Sequence, residues 1–111
     1  MPTYLLTLPD AEKARAHGSA FAFTSASPDG LAAELEHALR GDALFQRWLA
    51  TQDDPDAVPP AYAQVDPGAT VTGNQRDLKV LLEARTALPA EVLRHRLNLL
   101  AGHHWTLNDV R

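Results

Sequence analysis

Apolar and polar positions along this chain follow two periods, and the switch between them sketches the fold. Tyr4–Leu8 (YLLTL) is a short apolar run closed by Pro9-Asp10 and reads as a strand. Phe21–Ser25 (FAFTS) places Phe21 and Phe23 on one side by alternation and reads as a second strand. From Pro28 the period lengthens. Leu31, Leu35, Ala38 and Leu39 make a helical stripe, with Glu34, Glu36, His37 and Arg40 away from it. Ser27 suits the N-cap of this helix, and Gly41 ends it. Asp42 then caps a second helix, whose Leu44, Phe45, Trp48 and Leu49 form a compact apolar face ending near Thr51.

Residues 53–68 (DDPDAVPPAYAQVDPG) hold four prolines and four aspartates, and the part at about 53–60 reads as an unusually long loop: a mobile flap or a partner-binding segment. Ala61–Val65 is expected to begin a strand, and Thr70–Thr72 to continue the pairing. Residues 78–85 (LKVLLEAR) have helical residue types, but the run is short and stands just before Thr86–Pro89, so it is assigned as a buried strand. Pro89–Ala101 is a helix with Val92, Leu93, Leu97 and Leu100 inward, and 104–110 (HWTLNDV) is a last strand.

A faint internal echo supports this order. Pro28 to Gly41 and Pro89 to Gly102 each run from a proline to a glycine in 14 residues, 61 positions apart. Proline suits the first helical turn, and glycine the residue just past a helix. The expected architecture is one α+β domain over residues 1–111. It is a ferredoxin-like (split β-α-β) antiparallel sheet with helices on one face, and Tyr4–Leu8 adds an extra N-terminal edge strand.

Composition narrows the function classes. The 111 residues contain no cysteine, which excludes disulfides, cysteine–zinc sites and thiol nucleophiles. No apolar run approaches a membrane span, and MPTYLLTLPD lacks the basic start of a signal peptide, so a cytoplasmic, bacterial-looking protein with no membrane partner is expected. The formal charge of −4 is uneven: residues 1–75 carry −6 and residues 76–111 carry +2. An acidic whole argues against nucleic acid as a partner.

Candidate chemistry is thin. His103 and His104 could ligate a metal or meet an acidic ligand, but adjacent residues on a strand point to opposite faces, so no metal site is assigned. Asp53, Asp54 and Asp56 lack the spacing of a calcium loop. No nucleophile elbow and no phosphate-cradling glycine pattern occurs, and no cofactor is assigned. Arg85, Arg94 and His95, with His103 and His104, are the polar groups best suited to a ligand; the bland alternative for Arg94 and Arg96 is a solvated helix face paired with Glu91. Phe21, Phe23, Tyr62 and Trp105 are the candidate partner contacts. The reading that follows is a non-catalytic protein-interaction or regulatory module, with a protein partner or a second copy of itself as a homodimer. The alternative is a small-molecule-binding protein or enzyme with a pocket between sheet and helices.

Overall fold

The computed structural model describes residues 1–111. Strand β1 spans Thr3–Leu8. It puts Tyr4, Leu6 and Leu8 on the inner face, all buried, while Thr3 and Leu5 point the other way. A short helix α1 follows at Ala11–Arg15, its first turn capped by the Asp10 carboxylate on the Lys13 N–H. Helix α2 is Pro28–Arg40; the Ser27 hydroxyl accepts from the Gly30 N–H at 3.0 Å, as its N-cap position requires. Helix α3 is Ala43–Leu49. After two single 3₁₀ turns at Pro55–Ala57 and Pro60–Ala63 come β2 (Thr70–Arg76), β3 (Lys79–Arg85), helix α4 (Ala90–Ala101) and β4 (Thr106–Val110).

The four strands form one sheet in the order β2-β3-β1-β4, and every neighbouring pair is antiparallel. Helices α2 and α4 cover one face. Leu31, Leu35 and Leu39 of α2 and Val92, Leu93 and Leu97 of α4 close a single core with Leu6, Leu8, Val80 and Leu82 of the sheet. Each fully buried leucine contributes about 1.5–3 kcal/mol relative to exposure. Helix α2 lies so close to β2 that a Cβ on Gly73 would stand 2.3 Å from the Pro28 carbonyl oxygen, so only glycine fits there.

Three expectations about strands are corrected. Tyr4–Leu8 is not an extra edge strand: it pairs with β3 on one side and β4 on the other. An uncharged run with apolar residues at both parities suits an interior strand, which has backbone partners on both sides. Phe21–Ser25 is not a strand. Its backbone donors go elsewhere: the Phe23 N–H to the Leu100 carbonyl at the end of α4, and the Thr24 and Ser25 N–H groups to the Glu34 carboxylate. Residues 61–65 are likewise no strand, because Pro59 and Pro60 lack N–H donors and set the second 3₁₀ turn.

The assignment of 78–85 to a strand agrees with β3. Val80, Leu82 and Ala84 alternate inward against Leu81, Glu83 and Arg85, and the 3.6-residue spacing of the leucines is overridden by strand partners on both sides. The tip of the β2–β3 hairpin is Asp77-Leu78, with Asp77 at φ 56°.

The long Pro-Asp segment is no free flap in its second half. The Arg96 guanidinium donates to the Tyr62 and Gln64 carbonyls at 2.6 and 2.9 Å. The Asp66 N–H donates to the Leu39 carbonyl, and the Asp66 carboxylate accepts from the Thr86 hydroxyl and the Ala87 N–H.

Candidate functional site

The segment between α1 and α2 folds back over the outer side of α2 and leaves a groove of 450 Å³ against α3. Its apolar lining comes from Phe21, Ala22, Ala33, Leu44 and Leu100. Small residues make the width: Ala20, Ala33 and Ala43 stand where larger side chains would fill it. The rim carries Glu34 and His37, three apart on one face of α2, and Arg47 of α3.

Glu34 holds the groove wall in place. One carboxylate oxygen accepts from the Thr24 hydroxyl at 2.6 Å and the Thr24 N–H at 3.0 Å; the other accepts from the Ser25 N–H at 3.0 Å. Burial pushes its pKa up, but the hydrogen bonds from Thr24 and Ser25 outweigh that and hold the carboxyl below its ordinary value. A carboxylate stabilised in this way is a poor base, so the Thr24–Glu34 pair is a clamp and not a nucleophile with its activator. Arg47 is different. Its guanidinium lies over the Phe21 ring at 5.5 Å and reaches the Ala20 carbonyl only at 3.4 Å. It forms no ion pair: the two in the molecule are Arg40–Glu36 and Arg111–Asp109.

The residues expected to bind a ligand are dispersed. Arg85 stands exposed on the sheet face opposite the helices. Arg94 is exposed on α4, with no ion pair to Glu91. His103 and His104 lie in the turn after α4, not on a strand, and their rings approach to 4.2 Å; even so, no three His, Asp or Glu side chains gather around a common point. His95 is half-buried in an aromatic cluster, stacked on Tyr62 at 4.9 Å and edge-on to Trp48 at 4.5 Å. Its Nδ1 is buried without a partner, and burial together with the neighbouring Arg96 charge holds its pKa below the ordinary histidine value.

Among the candidate partner contacts, Phe23 is corrected: it is 2% exposed and packs in the core, where no partner can touch it. Phe21 is half-buried at the groove, and Tyr62 is half-buried on His95. Trp105 is half-buried, its indole N–H donating to the Asn98 side-chain oxygen at 3.0 Å. The space between sheet and helices, where a pocket was anticipated, is occupied by the leucine core.

Arg47 is not among the residues expected from the sequence, and the expectation for Arg96 is corrected. Arg47 had no marker beyond its place three residues after Leu44. Arg96, weighed as part of a solvated helix face paired with Glu91, is instead fully buried: it falls four residues after Val92 and four before Leu100, in the middle of the α4 apolar stripe. No family model matches the chain, and no curated protein or solved structure matches it.

Proposed function

We propose that this protein is a non-catalytic interaction module that pairs with a second copy of itself through the uncovered face of its sheet. The observation that carries this reading is the makeup of that face. Leu5 and Leu81 lie near its middle, diagonal neighbours across the β1–β3 ladder, inside a surround of Thr3, Thr72, Glu83 and Arg85. Glu83 and Arg85 are two apart on β3, both exposed, and neither has an ion-pair partner. A two-fold axis would set each Glu83 against the Arg85 of the other copy, and such self-complementarity is what an isologous interface requires. The fold that supports this reading is the ferredoxin-like split β-α-β topology. In its favour are the strand order β2-β3-β1-β4, the antiparallel pairing throughout and a helical connection on each side of the β2–β3 hairpin.

Sedimentation velocity over a range of concentrations tests the proposal. A dimer is expected, converted to monomer by Leu81→Lys with an unchanged circular dichroism spectrum. A monomer at every concentration, or a dimer indifferent to Leu81→Lys, overturns it.

A further inference from the structure

The groove beside α2 is independent of the sheet face, and its chemistry names a ligand class. We propose that it binds a small monocarboxylate with a flat or short-chain apolar body, held by Arg47. The volume, 450 Å³, lies within the roughly 300–1,000 Å³ of small-molecule sites. The groove is built in advance of any ligand: its outer wall is fixed by the three donors on Glu34 and by the Phe23 N–H bond to the Leu100 carbonyl at 2.9 Å. The apolar body is accounted for by the Phe21 ring and by Leu44 and Leu100, with alanines leaving room beside them.

The charge of the ligand follows from which rim groups are free. Glu34 already accepts from three donors that hold the groove wall, which leaves Arg47 as the rim charge with no such set of partners. Arg47 has only one long bond, to the Ala20 carbonyl at 3.4 Å, and no carboxylate within ion-pair distance. Its planar fork presents several donors to a carboxylate at once. His37, exposed on the same rim and with no hydrogen bond to its ring in the protein, adds a second polar group there. The occupant is therefore an anion at the rim and a hydrocarbon below it.

The test is a titration of ¹⁵N-labelled protein with 4-phenylbutyrate and, in parallel, with its uncharged analogue 4-phenylbutyramide, backed by calorimetry. Saturable shifts confined to residues 20–25, 30–38 and 43–47 are expected with the acid, with an affinity of about millimolar for so small a probe. The amide and the Arg47→Gln variant should each weaken binding by about tenfold, the measure of one lost charge-assisted contact near the surface. Arg47→Lys should recover part of the loss. Ala33→Leu, an exchange between two strong helix formers at an exposed position of the groove, should abolish binding of both compounds while leaving the melting temperature in place. Equal binding of acid and amide, indifference to Arg47→Gln, shifts centred elsewhere, or no saturable binding each overturn the proposal. Because these readouts are made within one subunit, they stand or fall separately from the oligomeric state.

Discussion

Replacing Arg96 by methionine is the most demanding test of how the helical layer is held. The guanidinium is fully buried, yet it has no carboxylate partner. It donates instead to three backbone carbonyls: Ala38 at 3.1 Å, Tyr62 at 2.6 Å and Gln64 at 2.9 Å. Ala38 lies in the last turn of α2, where carbonyls have no partner within the helix, so Arg96 places a positive charge at the negative end of α2. Its plane also stacks over the Phe45 ring at 5.2 Å. Burial lowers its pKa, the Asp42 carboxylate offsetting this only in part, yet guanidinium keeps its proton in proteins.

Methionine retains volume and apolar contact but leaves three carbonyls without their donor, that of Ala38 in a buried bond and those of Tyr62 and Gln64 in partly buried ones. The removal of a buried charge offsets part of that loss, so the net cost is about 3–5 kcal/mol. For a chain of this length that is a fall of roughly 12–20 °C in Tm. Urea unfolding followed by circular dichroism and tryptophan fluorescence gives the number. Arg96→Lys keeps the charge but cannot span three acceptors, so it should recover less than half of the loss. Arg94→Met, two residues away and exposed, should stay within about 0.5 kcal/mol of the parent. An Arg96→Met variant within about 1 kcal/mol of the parent would refute the account.

The other expectations concern single contacts. Gly73→Ala should cost about 2–3 kcal/mol by calorimetry, since its Cβ meets the rigid Pro28 carbonyl at 2.3 Å; an unchanged Tm would mean that α2 rides further from β2. His95 has a folded pKa below its ordinary 6.5, so the native state disfavours its proton and stability falls as pH drops through that value. His95→Phe, which keeps the stacking on Tyr62, should therefore gain more over the parent at acid than at neutral pH, and a parallel pair of stability–pH curves would contradict this. Glu34 and Asp66 both have depressed folded pKa values, Asp66 chiefly through the Ala87 N–H and the Thr86 hydroxyl. Their stabilisation is full above the ordinary carboxylate range and is lost as pH falls through the lower folded values, so a Glu34→Gln, Asp66→Asn double variant should show a flatter acid limb in chemical denaturation.

What was legible in the sequence was local. Ser27 and Gly41 mark α2 because capping is decided within a few residues, and the Pro28–Gly41 and Pro89–Gly102 runs do end in helices on one face of the sheet. The antiparallel α+β plan followed from such signals. The place of β1 did not, since whether a strand is central depends on neighbours some 80 to 100 residues away. The alternation of Phe21 and Phe23 marks one ring over the groove and one in the core, not a strand. The candidate ligand residues were selected by type and not by position. Arg85, His95 and His103 carry suitable groups, but the fold sends them to different surfaces, while Glu34, His37 and Arg47 meet because a segment with no periodicity folds over α2.

That segment is also where the two halves of the chain differ most. In the second half β3 ends at Arg85 and α4 begins at Ala90, a tight strand-to-helix connection. In the first half β1 ends at Leu8 and α2 does not begin until Pro28, with α1 and residues 16–27 interposed. A loop of that length is not needed to cross from sheet to helix. Its backbone is fixed by bonds to Glu34 and to the last turn of α4, and this ordering costs conformational entropy that a shorter link would avoid. What the chain gains for that cost is a wall standing off α2, with a phenyl ring and an unpaired guanidinium facing the gap. Core packing accounts for only part of it: Ala14 and Phe23 of the segment are buried in the core, whereas Ala20 and Phe21 line the gap. Stability accounts for Ala14 and Phe23, and binding best accounts for the side of the segment that carries Ala20 and Phe21 to the groove.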